Sequence, residues 1–301
     1  MSSFPTVVPT KRPFTESPLM LLVLTGILLG ATLPVARLAG QAGWSPIAFT
    51  FWAALGSGLI LLIAGRPARQ RVSASVVKYS FVAGILSVAM PNSLAFVVMP
   101  ELGTTMTSLA YTLPPLFTYA FGWMAGMEHY RATRLAGVLL GMAGVGLLVL
   151  GKPVQQASAG TGLLLALGIP LSIAAGNVYR KRYLPEGYEA QTLAGGMLLA
   201  GAAALLPLLV AAAPSPSAGT PWLILLLQCV FTSLGYFVYF RFQKVADPVY
   251  FSQLGYVMSA TGVVCGVILF GERLTPWMPV AVAVIAAGVM LVNRRPSQPR
   301  S

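Results

Sequence analysis

Charge is what this chain has least of. Of its 301 residues only 9% are Asp, Glu, Lys or Arg, and against 19 basic side chains stand seven acids and one histidine. An enzyme needs a nucleophile, an acid–base pair or metal ligands gathered in one place. So few acids and a single imidazole give little to gather, and no enzyme, cofactor or metal site is expected. Two cysteines, Cys229 and Cys265, lie inside apolar runs and none lies in a loop. They read as small buried hydrophobes, which leaves out a disulfide framework and a zinc site. His129 stands in a charged hinge, the place of a solvated interfacial residue. The net charge of +12 raises nucleic acid as a partner, yet the Lys and Arg residues come in small groups between apolar runs. They form no contiguous basic patch, so no nucleic-acid partner is expected.

What the chain has instead is hydrophobic length. With 56% of its residues apolar it belongs in a lipid bilayer, not in water as one soluble core. Residues 104–151 show the unit of construction. Two apolar runs, each long enough to cross a ~30 Å hydrocarbon core as a helix, flank a short hinge carrying Glu128, Arg131 and Arg134. The pattern returns 144 positions later, setting Glu128 on Glu272, Ser108 on Ser252 and Gly144-Val145 on Gly288-Val289. At an offset of 143, Val35 falls on Val178 and Arg37 on Arg180. A duplication of this kind outranks any local motif as evidence of fold.

Run lengths predict an all-α membrane protein of ten spans, at about 19–37, 46–64, 76–98, 104–126, 132–150, 161–180, 190–212, 221–241, 249–270 and 276–293. Five spans fall in each half, and an odd number makes the second half enter from the opposite side. The expected architecture is therefore two inverted five-helix repeats, 18–151 and 160–293, around a central cavity. A linker loop, 152–159, joins them, and polar tails, 1–17 and 294–301, flank them. With the amino terminus in the cytoplasm, every Lys and Arg except Arg37, Lys152 and Arg273 falls on the cytoplasmic side. That sorting supports a multi-pass protein of the bacterial inner membrane with both termini cytoplasmic.

All the acids map to tails, loops or span ends. Carriers driven by protons or sodium usually keep a carboxylate within the bundle despite its cost, so facilitated transport is favoured over obligatory coupling. Candidate site residues are the polar groups inside spans. Helix 4 sets Ser108, Tyr111 and Thr112 on a stripe at three- and four-residue spacing, and helix 9 answers with Tyr256, beside Gln253. Asn92 in helix 3, Tyr236 in helix 8 and Asn177 near the end of helix 6 complete the proposed substrate-binding set. The alternative for each is hydrogen bonding between packed helices. Pro114 and Pro115 free the carbonyls of Ala110 and Tyr111, which predicts a seat for an ammonium group beside the Tyr111 ring. Helices 5 and 10, with small faces at Gly137, Gly141, Gly144 and Ala283, Ala286, Ala287, Gly288, are expected to be scaffold, packed together or at a dimer contact. Trp44, Trp222 and Trp277 are expected in the interfacial belt, and Trp52 and Trp123 deeper in the core.

The chain resembles the EamA-type carriers of the drug/metabolite transporter superfamily. The likeness rests on paired five-helix halves and on an acid-ended helix followed by a G-V-L-L-V-type helix. Here those residues are Glu128 with Gly144-Val145-Gly146-Leu147-Leu148, and Glu272 with Gly288-Val289-Met290-Leu291. The second half departs by lacking the helix 4 proline, having Met258-Ser259 instead. The pattern is also similar to the bacterial YddG-type aromatic amino-acid exporters. The resemblance implies a transporter, monomeric or homodimeric, that moves small amphiphilic metabolites such as amino acids out of the cytoplasm by alternating access. The alternatives are export of drugs, sugar nucleotides or other metabolites, with proton coupling left open. Sugar nucleotides would call for inward-facing Lys or Arg, and in the sequence only Arg37 and Arg241 suggest themselves.

Overall fold

The computed structural model describes residues 17–65, 73–127, 131–150, 157–212, 221–245, 254–273 and 276–293. Among them every regular element is helical. Residues 1–16 and 294–301 of the predicted tails, the hinge residues Glu128 and His129, the repeat partner Ser252 and the candidate Gln253 lie outside the described residues.

Helix α1 (Pro18–Gly30) starts where Ser17 Oγ accepts the Met20 N–H at 3.2 Å, with Pro18 in the first turn. Helix α3 (Pro46–Ala64) repeats the device with Ser45 and the Ala48 N–H. Proline suits that position because the N–H it lacks would have had no helical partner. Between them α2 (Thr32–Gln41) continues α1 after a break at Ala31. The single apolar run is then Pro18–Gln41, ending four residues later than expected.

Residues 74–112 form one helical run of 39 residues. At 1.5 Å per residue this would reach about 58 Å, nearly twice the hydrocarbon thickness. It does not run straight. Helix α4 (Ala74–Gly84) passes through a π turn, Ile85–Ala89, into α5 (Met90–Leu109), and Gly103 inside α5 has φ 76° and ψ 169°. Only glycine takes that backbone conformation cheaply. The two spans expected at 76–98 and 104–126 are thus arms that part at one residue, three beyond Pro100. Pro91 explains the π turn, because it cannot donate to the preceding turn. The loosened carbonyls find side chains: Asn92 Nδ2 donates to Val88 O at 2.8 Å, and Ser172 Oγ donates across helices to Leu86 O at 2.7 Å. A 3₁₀ turn, Ala110–Thr112, precedes α6 (Pro114–Met124) at the double proline.

The rest is α7 (Ala132–Leu150), α8 (Ala157–Tyr183), α9 (Ala190–Ala212), α10 (Trp222–Val245), α11 (Leu254–Phe270) and α12 (Trp277–Asn293). Six runs have the length and apolarity of a membrane crossing: Pro18–Gln41, Pro46–Ala64, Ala74–Thr112, Thr161–Tyr183, Gln191–Ala211 and Trp222–Phe242. Shorter apolar helices occupy Ala132–Gly144, Leu254–Phe270 and Trp277–Leu291.

Helices of one half pack chiefly on helices of the other. The closest pair is α7 with α12, followed by α3 with α9, while α1 lies against α10 and α11 and α8 lies against α5 and α6. Small residues set these distances. A side chain on Gly288 would strike the backbone of Gly137 and Gly141, and one on Gly144 would strike Ile285. Helices 5 and 10 of the sequence reading are therefore scaffold packed against each other. The outer surface is apolar, with Ile63, Met124, Leu223 and Ile268 exposed, as the absence of water around a bilayer-facing surface requires. Trp52 (39% exposed) and Trp123 (49%) belong to that surface, contrary to the core position expected of them. Trp222 and Trp277 are exposed at helix ends, while Trp44 is buried, its ring edge-on to Trp222 with centroids 5.3 Å apart.

Candidate functional site

Contacts define two ends of the bundle. At one, Arg37, Thr104 and Glu272 meet. At the other, Arg182 Nη1 donates to Ala125 O at 3.3 Å, and Tyr188 and Ser73 are joined at 3.4 Å. Between them lies a cavity of about 730 Å³, within the range of small-molecule sites. Its wall includes Arg134, Lys181 and Leu184 at the Arg182 end, but not Arg37, Thr104 or Glu272. The hollow reaches one end and stops short of the other.

Asn92 and Tyr111 of the 74–112 run, Asn177 of α8 and Tyr236 of α10 line this cavity. The other described candidates do not. Ser108 is buried, its hydroxyl donating to Thr105 O at 2.8 Å and to Ser259 O of α11 at 3.4 Å, while Gly262 lies against its Cβ. Thr112 Oγ1 donates to Leu109 O at 2.7 Å and caps the turn before Pro114. Tyr256 packs into the apolar cluster of Leu113, Leu116, Tyr119 and Ile285, and its hydroxyl is buried with no hydrogen-bond partner among the described residues. The stripe on helices 4 and 9 thus splits: its small hydroxyl residues join α5 to α11, and Tyr111 turns inward. The ammonium seat expected beside Tyr111 is not formed. The Ala110 carbonyl accepts the Leu113 N–H at 3.3 Å, and the Tyr111 carbonyl is packed on Gly255, where even a Cβ would collide with it.

Arg180 is the residue that sequence reasoning missed. Counted there among interfacial cations, it lines the cavity one turn beyond Asn177. Its Nη2 donates to Asn177 Oδ1 at 2.5 Å, and Asn177 Nδ2 donates in turn to Thr118 Oγ1 at 3.2 Å. Tyr239 is also hydrogen-bonded to the guanidinium, Nη1 donates to Met197 Sδ at 3.8 Å, and Tyr79 and Tyr236 line the same cavity. The available signal was its spacing: a residue three positions after a helical site candidate shares its face. Arg134 and Lys181 also line the mouth, and among the described residues no Asp or Glu lines the wall. The candidate set read from the sequence holds no charged residue, and Arg180 adds one. The lining is mainly apolar and aromatic, but it is basic at one pole. Gln228 and Ser87 were missed too; each lines the wall with a buried oxygen (Oε1 and Oγ) that has no partner among the described residues.

At the opposite end Glu272 closes a polar knot. One carboxylate oxygen accepts the Thr104 N–H at 2.7 Å and the other the Thr105 N–H at 2.8 Å. These are the first donors of the helical arm that starts after Gly103, so an acid two residues beyond the end of α11 caps a helix that needs one. Arg37 pairs with the same carboxylate, also donates to Thr104 Oγ1 at 3.3 Å, and lies 4.1 Å from the centroid of the Phe270 ring.

A bundle of apolar helices with a lipid-compatible exterior and a polar-spotted hollow reaching one end is a multi-pass membrane protein built to hold a small molecule. The EamA-like transporter family matches the chain twice, over residues 17–150 and 160–294. The chain belongs to that family, within the drug/metabolite transporter superfamily, and its members are transporters, not enzymes. A solved structure titled "Crystal structure of protein" is similar over 90% of this chain and 95% of its own, with 20% identity and a TM-score of 0.59. That likeness concerns the fold alone. No curated protein matches.

Proposed function

We propose that this membrane transporter carries small amphiphilic metabolites, with aromatic and other neutral amino acids as the leading cargo, out of the cytoplasm by facilitated alternating access. In this reading ten spans form two inverted repeats, 18–151 and 160–293, joined by 152–159. The Arg182 end, rich in Lys and Arg, faces the cytoplasm of a bacterial inner membrane. The observation that carries it is the one-sided cavity, open towards Arg134, Lys181 and Leu184 and closed beneath the Arg37–Glu272 knot, as an inward-open carrier requires. Reciprocal packing supports the inverted repeats: α1 on α10 and α11 is matched by α8 on α5 and α6, the pairs exchanged by a two-fold axis in the membrane plane. Asn92, Tyr111, Asn177 and Tyr236 are the proposed substrate contacts.

The test is flux of labelled phenylalanine and leucine in liposomes holding the purified protein. Flux above that of protein-free liposomes without an imposed pH gradient is expected, and strict dependence on such a gradient overturns the facilitated mechanism. A second reading, export of other and more strongly anionic metabolites, gains support from Arg180 in the wall.

A further inference from the structure

The charge of the cavity narrows what it can hold. Arg180 stands in its wall, and among the described residues no Asp or Glu lines it. An amine entering this space would leave water, meet positive potential and find no acid to offset its desolvation. An anion would find its counterion in place.

Arg180 is also built to receive one. A guanidinium offers five N–H donors in a planar fork that matches a carboxylate edge. Asn177 holds Nη2 of that fork at 2.5 Å and is itself held by Thr118 at 3.2 Å. The chain Thr118–Asn177–Arg180 fixes the orientation of the group in advance, and preorganisation of this kind reduces the cost of binding. Tyr239 is hydrogen-bonded to the guanidinium and Nη1 donates weakly to Met197 Sδ at 3.8 Å, while Tyr79 and Tyr236 line the same cavity; a carboxylate is a stronger acceptor than the thioether it would displace. Away from this pole the wall turns apolar, through Tyr111, Pro114, Phe49, Phe96 and Met258.

We infer that the cavity recognises organic anions that join a carboxylate to an aromatic or bulky apolar body, and that Arg180 is the residue that binds the carboxylate. The inference rests on the reading of this cavity as the cargo site. Amino acids remain within the class through their carboxylate. Amines without a carboxylate fall outside it.

Three molecules sharing a phenyl ring separate the possibilities: 3-phenylpropionate, phenylalanine and phenethylamine. Each is titrated into the purified full chain in detergent and followed by calorimetry. The two carboxylates should bind, and phenethylamine should bind at least about tenfold more weakly. Arg180→Gln should weaken both carboxylates about tenfold or more, the loss of a charge-assisted bond, and Arg180→Lys should recover part of that loss. Equal binding of phenethylamine, failure of both carboxylates to bind, or unchanged carboxylate affinity in a monodisperse Arg180→Gln protein overturns the inference. Failure of the transport reading looks different. Carboxylates that bind through Arg180 yet never cross liposomes would end that reading and leave the anion site standing. Flux of phenylalanine that is indifferent to Arg180 would do the reverse.

Discussion

Tyr111 and Tyr256 look alike in the sequence, each a tyrosine mid-span on a polar stripe, and the fold gives them opposite surroundings. Tyr111 lines the cavity and also packs with Leu33, Ala95, Val98 and Ile169, so Tyr111→Ala should lower flux severalfold and cost stability as well, whereas Tyr111→Phe should leave the melting temperature in detergent nearly unchanged. Tyr256 packs in a core cluster with an unpartnered hydroxyl among the described residues. Tyr256→Phe should therefore be neutral or stabilising, since it removes a buried polar group that costs free energy. Tyr256→Ala should cost about 3 kcal/mol through the cavity it leaves. A flux defect in Tyr256→Phe at an unchanged melt would show that the hydroxyl serves transport. Sequence could nominate both tyrosines but not rank them, because the stripe spans more than one neighbour and only packing decides which part faces a hollow. Arg180 failed for a related reason. Its position at a span end fits interfacial charge as well as a cavity mouth, and the sorting of Lys and Arg by side says nothing about which face of the helix they occupy.

At the scale of elements, the break at Gly103 and the acid that caps it act together. The repeat made Glu272 conspicuous as the partner of Glu128, yet no sequence signal tied it to Thr104 and Thr105, which are more than 160 positions away. Arg37 and Glu272 are partly buried, with side chains 23% and 14% exposed. Such a pair lies between an exposed pair and a fully buried one, and losing one partner should cost about 1 to 3 kcal/mol. If the knot holds this end shut, Glu272→Gln should shift the balance towards opening by about tenfold. The reporter is a cysteine at Ala36, on the cavity wall, in a chain with Cys229 and Cys265 replaced. Labelling by a membrane-impermeant maleimide from the far side of the membrane should rise severalfold with Glu272→Gln. An unchanged rate would make the knot a helix cap without a gating role. The scaffold, by contrast, was legible in advance, since glycines and alanines at three- and four-residue spacing can only mean close packing, and α7 and α12 use theirs on each other.

For the whole molecule, the basic mouth links cargo, direction and energy source. The duplicated sequence and apolar runs made the bundle legible as a whole, but the charge of its interior arises only when α8 turns Arg180 towards the tyrosines of α10 and α4. A carrier whose single cargo is a net anion moves charge in every cycle, whichever step the charge crosses in. An inside-negative potential then favours export by about 2.3 kcal/mol per 100 mV, roughly a fiftyfold concentration ratio, without any proton. Such a carrier has no need of an acid deep in a span, and the sequence maps its acids to tails, loops or span ends, Glu101 lying two residues before the break at Gly103. Liposomes given a potassium gradient and valinomycin make this measurable. Efflux of 3-phenylpropionate should accelerate when the compartment on the Arg182 side is negative and slow when it is positive, whereas net-neutral phenylalanine should respond little. Equal responses of the two would mean that the charge of the cargo is compensated during transport, by a co-transported ion or a proton, and that the carrier is coupled after all.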